Sequence, residues 1–158
     1  MSHRTEWKTK DFESMSWHDT HVHGFHIVEN EVEDGSADLI LDIDYIVEWL
    51  RAGTHCSFVV AQAALQFHRV FGLKLSLDYV TPGAGMCAFS IAGIEREPVT
   101  AYSSYKWSMA INWPFGKLEF NSPAFTQRTT GPSVTQSGQS LAPSQPNRFA
   151  GFRPNERP

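Results

Sequence analysis

The sequence predicts a mainly β protein: an antiparallel sandwich or strongly bent sheet of about seven or eight strands, closed by an irregular C-terminal tail. Three observations carry this. In "DLILDIDYIVEWL" the apolar residues Leu39, Leu41, Ile43, Tyr45, Val47 and Trp49 take every odd position, while Asp42, Asp44 and Glu48 fall on even ones. A period of two gives a strand one buried face. Of the 158 residues, 41% are hydrophobic, 13% aromatic and 19% charged, more aromatic and less charged than a helical bundle. No amphipathic helical pattern runs beyond two turns.

The chain divides into a polar lead over 1–15, a β domain over 16–122 and a Pro/Ser/Gln-rich tail over 123–158. The lead "MSHRTEWKTKDFESM" lacks the apolar centre of a secretory signal, and no apolar run is long enough to span a bilayer, so a cytoplasmic protein with no membrane partner is expected. Within the β domain, "HVHGFHIV" is the first strand, joined by the acidic loop "ENEVEDGSA" to the long strand above. "HCSFVVAQAALQFHRV" supplies one or two more, and "LKLSLDYV" alternates through Leu73, Leu75, Leu77 and Tyr79. After the Gly-rich "TPGAG" come "MCAFSIAGIERE" and "SYKWSMAINW", the latter alternating through Tyr105, Trp107, Met109 and Ile111. Pro114 and Gly116 in "NWPFG" then turn the chain into the hairpin partner "KLEFN". Six of the nine prolines follow Asn121, in a tail expected to be mobile or draped over the body. Phe125, Val134, Leu141, Phe149 and Phe152 are its potential anchors.

Residues 1–122 carry nine Lys/Arg against sixteen Asp/Glu, and residues 123–158 four Arg against one Glu, within a net formal charge of −4. An acidic body argues against a nucleic-acid partner. The two cysteines, Cys56 and Cys87, form no Cys-x-x-Cys motif and fit a reducing compartment. Cys56 reads as a buried small hydrophobe, and His55 beside it on a strand faces the opposite side. "PGAG" lacks the Lys-Ser/Thr of a phosphate loop, and no Gly-x-Ser-x-Gly elbow occurs.

The candidate chemistry is concentrated in "SWHDTHVHGFHIVE", which holds four histidines and an aspartate in fourteen residues. His21 and His23, two apart on a strand, project from one face, as many metal sites begin. Regular pairing with "DLILDIDYI" sets Phe25 and Ile27 beside Leu39 and Leu41, which turns His21 and His23 toward the core and Asp42 and Asp44 toward solvent. The carboxylates then lie on the wrong face to share a metal, unless the register slips by one. Structural histidines with no cofactor are the expectation; a divalent metal such as zinc on His21 and His23 is the alternative. His18 and Asp19 form a hydrogen-bonded corner under Trp17.

"DTHVHG" resembles the first barrel strand of metal-dependent amidohydrolases, but over six residues only, and their (β/α)₈ barrel takes about 250 residues. Ser16, Trp17, His18 and Asp19, followed by an apolar strand and an acidic hairpin, resemble a loose group of small bacterial proteins, some classed as immunity proteins of polymorphic toxin systems. Leu65, Phe67, Val70 and Leu73 in "LQFHRVFGL" match a later feature of that group. The resemblance covers about half of the chain and implies a β-rich, non-catalytic domain.

Three functional readings follow. The first is a non-enzymatic module that binds another protein through Trp17, His18, Asp19, Trp107, Trp113 and Phe115. The second is a small metal-dependent hydrolase using the His-x-His strand. The third is a self-associating structural protein that forms a homodimer.

Overall fold

Nine strands, every pair antiparallel, form one sheet in the computed structural model, which describes residues 2–31, 34–80, 83, 85–146 and 148. They are β1 (Glu6–Lys8), β2 (His21–Glu29), β3 (Ala37–Ala52), β4 (His55–Leu77), β5 (Phe89–Val99), β6 (Ser104–Trp113), β7 (Gly116–Ser122), β8 (Ala124–Thr129) and β9 (Val134–Gln136). Among the described residues the helical content consists of two 3₁₀ turns, Thr9–Ser14 and Thr100–Tyr102. The protein is therefore mainly β and antiparallel, and its single sheet is strongly bent. No helix among the described residues is long and apolar enough to cross a membrane.

The bend is complete enough to close the sheet. β4 carries β3 on one edge and β9, β8 and β7 in succession on the other. β7 pairs with β6, β6 with β5, and β5 with β2, which returns to β3. Closure around β2, β3, β4, β7, β6 and β5 reduces the edges that an open sheet would present, leaving β1 and β9 with one neighbour each. The seam between β2 and β5 is short, with only His21 opposite Ser90 and Val22 opposite Phe89.

β4 can serve so many partners because its backbone turns. Arg69 has φ 51° and Gly72 φ 65°, left-handed conformations that bend the strand and reset which side chains face inward. Phe67 and Val70 are consequently both buried although they are three apart. Around them the odd-numbered residues Leu39, Leu41, Ile43 and Tyr45 of β3 meet Ala63 and Leu65 of β4 and Met109 and Ile111 of β6. Trp107 is wholly buried at the centre, its ring 5.1 Å from Phe67, 5.4 Å from Phe12 and 5.8 Å from Phe125. Its indole N–H donates to the Ser122 carbonyl at 2.9 Å, so the largest core side chain leaves no polar atom unpaired.

The sheet runs past both expected limits of the β domain. β1 lies in the polar lead, and β8 and β9 lie in the tail. β8 alternates as a strand should, with Phe125 and Gln127 buried, but Pro123 interrupts the pattern between β7 and β8, where a residue without an N–H must fall outside the ladder. Beyond Gln136 the chain drapes over the outer wall of β3 and β4, where Leu141 packs with Ile46, Phe58 and Val60 in a second, smaller core. Val134 lies half-exposed on β9. Phe149 and Phe152 lie outside the described residues. β3 is thus covered on both faces, which explains why its even positions are buried as well as its odd ones.

Candidate functional site

The histidine strand does not pair regularly. His21 lies opposite Asp44 and Val22 opposite Ile43, but Gly24, not His23, lies opposite Asp42. His23 is the extra residue of a β-bulge, and its insertion changes which residues share a face. From Phe25 onward the expected pairing holds, Phe25 facing Leu41 and Ile27 facing Leu39, but both side chains are exposed rather than enclosed in the core. Upstream of the bulge the parity reverses, so His21 sits beside Asp44 on the outer wall.

The expectation that His21 and His23 face the core, away from any carboxylate, is therefore corrected. His23 Nε2 donates to Asp44 Oδ2 at 2.8 Å. Asp42 and Asp44 are not on a solvated face either: both are buried, Asp44 completely. Arg148, from the far end of the chain, donates from Nη1 to Asp44 Oδ1 at 2.7 Å, and its Nε lies 3.8 Å from Asp42 Oδ2. The backbone N–H of Leu141 donates to Asp44 Oδ2 at 2.8 Å. One carboxylate thereby ties the first strand of the barrel to the last described residues.

The electrostatics follow from this wiring. Burial pushes the Asp44 carboxyl up, but hydrogen bonds from His23, Arg148 and Leu141 outweigh that push and hold it below the usual aspartate value. Burial lowers His21, against the opposing pull of the Asp19 carbonyl that its Nδ1–H reaches at 3.1 Å and of the nearby Asp44 charge. The two carboxyl groups can share this buried wall because a guanidinium, the charge of choice for paired carboxylates, lies beside both. Among the described residues no group of three or more His, Cys, Asp or Glu side chains is arranged to hold a metal ion. Arg148 occupies the position beside Asp42 and Asp44 that a cation would take.

The Ser16–Asp19 corner completes the barrel seam. Trp17 is buried, against Phe12 and Phe125, and its indole N–H donates to Gln127 Oε1 at 2.8 Å. It belongs to the core and cannot serve as a contact residue for a partner. Asp19 adopts φ 61°, tolerated by aspartate better than by most residues. Its N–H donates to the Ile91 carbonyl at 2.8 Å, and its carboxylate accepts from Asn112 Nδ2 at 2.9 Å and Gln139 Nε2 at 3.0 Å. Asn112 in turn meets Ser90 Oγ. His18 points outward, 3.1 Å from Asp19 Oδ2, with its ring 6.3 Å from that of Trp49.

The aromatic binding residues separate in the same way. Trp107 is core, a further correction, because strand alternation alone does not say which side of a closed sheet is inside. Trp113 and Phe115 remain outside at the β6–β7 hairpin tip, 41% and 65% exposed, with ring centroids 6.4 Å apart. The Asp78 N–H donates to the Phe115 carbonyl at 3.0 Å and Tyr79 Oη donates to the Cys87 carbonyl at 2.7 Å. These bonds bring Val80, 92% exposed, and Met86, 89% exposed, to the same end of the barrel. Cys56 and Cys87 are both exposed free thiols, so the buried position expected for Cys56 is also corrected; it lies at the β3–β4 hairpin, opposite Arg51.

A concavity of about 740 Å³ shares no residue with the histidine cluster; Glu95, Arg96, Glu97, Lys106, Lys117 and Glu119 give it a charged, mixed-sign wall. Arg96 is held there over the Phe12 and Tyr105 rings, 4.4 Å from each centroid, which makes it a packing element.

Sequence reasoning missed Arg148, Gln139, Asn112 and Ser90. The charge asymmetry between an acidic body and an arginine-bearing tail was the one signal pointing to the first of them. No family model matches this chain, and neither curated proteins nor solved structures give a match.

Proposed function

We propose that this protein is a non-enzymatic binding module that docks another protein on the hairpin-tip end of its barrel. The observation that carries the reading is the exposure of Val80, Met86, Trp113 and Phe115 at one end of the fold. Large apolar and aromatic side chains held out of a well-filled core are what interface centres are made of. The partner has an apolar knob and a basic rim, because residues 1–122 carry sixteen acidic against nine basic side chains. The likeness of Ser16–Asp19 to immunity-type proteins points the same way, since such proteins act by binding. Asp44, buried and satisfied by His23, Leu141 and Arg148, with Asp42 beside the same guanidinium, forms a structural network and supports this reading over a hydrolase.

The test compares affinity capture from native cell extract by the unmodified protein and by a Trp113→Ser/Phe115→Ser variant. A stoichiometric protein retained by the first and lost by the second, with unchanged melting of the variant, is the expected result. Retention of nothing, or only of further copies of this chain, overturns the proposal.

A further inference from the structure

On the outer wall of β3 and β4 the chain binds part of itself. Residues 137–146 and 148 are not strand; beside the Gln139 bond to Asp19 and the Leu141 N–H bond to Asp44, two side chains anchor them. Leu141 fills an apolar depression formed by Ile46, Phe58 and Val60. Seven residues further on, Arg148 enters the pair Asp42 and Asp44, its side chain 5% exposed. Between these anchors no backbone ladder joins the described residues of the segment to the sheet, whose last strand is β9. An aliphatic pocket beside a two-carboxylate slot is how a peptide groove reads an extended ligand.

A second, independent observation shows that the segment does not saturate this wall. Gln62 lies directly opposite Asp44 in the β3–β4 register and is 2% exposed. Its Nε2 makes no hydrogen bond among the described residues, nor do Arg148 Nε and Thr130 Oγ1. Thr130 is adjacent, its N–H donating to the Gln62 carbonyl at 2.8 Å. Buried donors without acceptors are uncommon in a settled interior. A ligand carrying one more carbonyl or carboxylate near Gln62 satisfies more of the wall than the segment does.

We propose that this wall is a peptide-binding groove that recognises an aliphatic side chain and an arginine seven residues after it, and that the 137–148 segment occupies it in cis and must be displaced by a partner peptide of that chemistry. The site is distinct from the aromatic end and stands or falls separately from it. Tethering sets the competition: a segment on a short linker presents itself at about millimolar effective concentration. The groove thus responds only to a partner that is locally concentrated or that uses the spare donors.

The experiment uses the full chain and a fluorescein-labelled peptide spanning residues 137–148. A Leu141→Ala/Arg148→Ala variant, with cooperative melting confirmed, binds the peptide at least tenfold more tightly than the unmodified chain does. Replacing the peptide's arginine by alanine, or adding Asp44→Asn to the variant, lowers that binding at least tenfold, whereas Trp113→Ser leaves it unchanged. Should the double variant not fold, Leu141→Ala alone is titrated with the same peptide and the same arginine control. Absence of binding to a folded variant up to millimolar peptide overturns the proposal. So does binding indifferent to the peptide's arginine, or a variant-independent dimer in light scattering, which assigns the groove to strap exchange between copies.

Discussion

Replacing Asp44 by Asn tests the network most directly, because it keeps the shape and removes only the charge and one acceptor. Asp44 accepts from His23 Nε2 and Leu141 N on Oδ2 and from Arg148 Nη1 on Oδ1. Asn has a single oxygen, so its amide nitrogen must confront at least one of these donors. The gentlest arrangement keeps oxygen toward His23 and Leu141 and loses the Arg148 bond; a hydrogen bond to a charged group contributes about 1.5–3 kcal/mol. Breaking a buried ion pair outright costs about 3–5 kcal/mol, an upper limit not reached here because Asp42 stays 3.8 Å from Arg148 Nε. The expected loss is therefore about 2–3 kcal/mol at neutral pH, which for a chain of this size lowers the melting temperature by roughly 5–10 °C. Urea unfolding followed by tryptophan fluorescence measures it. The pH dependence gives a second check. A carboxyl whose pKa is lowered in the folded state contributes stability above its unfolded value, about 3.9, and loses it as pH falls through the folded value. The gap between the two proteins should be constant above about pH 5 and narrow in acid as that unfolded value is passed. A difference under about 0.5 kcal/mol, the ordinary range of surface substitutions, or a gap of the same size in strong acid refutes the reasoning.

Trp107→Ala removes the central, fully buried ring of the barrel and should cost about 3–5 kcal/mol in chemical denaturation; a smaller loss would mean that Phe67 and Phe125 collapse into the space. Gly116→Ala should destabilise by about 2 kcal/mol or more, because a Cβ there overlaps the Ser76 carbonyl oxygen and comes within 3.0 Å of Leu77 Cδ2; an unchanged melting temperature would show that the β4–β7 pairing yields easily. For His21, whose folded pKa is lowered chiefly by burial, stability is lost as pH falls from above the unfolded value of about 6.5. His21→Gln should accordingly flatten the stability profile between about pH 7 and 5, and an equally steep profile in the variant would assign that slope to another group.

The strand-rich character of the chain, the long alternating strand at 37–52, the β6–β7 hairpin and the irregular run beyond Gln136 all rest on local rules, which is why they are legible in the sequence. A period of two, a Pro-Gly turn and a proline-dense composition act within about ten residues of the chain. The two faces of β3 illustrate where such rules stop. Alternation correctly separates Leu39, Leu41 and Ile43 from Asp42 and Asp44, but the further step from polar to solvated fails, because Leu141 and Arg148 arrive from about a hundred residues away to cover the polar face. The same holds for His23. One inserted residue at the bulge reverses the parity upstream of Gly24, and a bulge in a strand pair carries no mark that the histidine strand alone can show. Ring closure likewise decided that Trp17 and Trp107 are core while Trp113 and Phe115 are surface. Inside and outside are properties of the closed sheet, set by which distant strands hydrogen-bond to both edges of β4, whereas the sequence by itself determines only which side chains share a side.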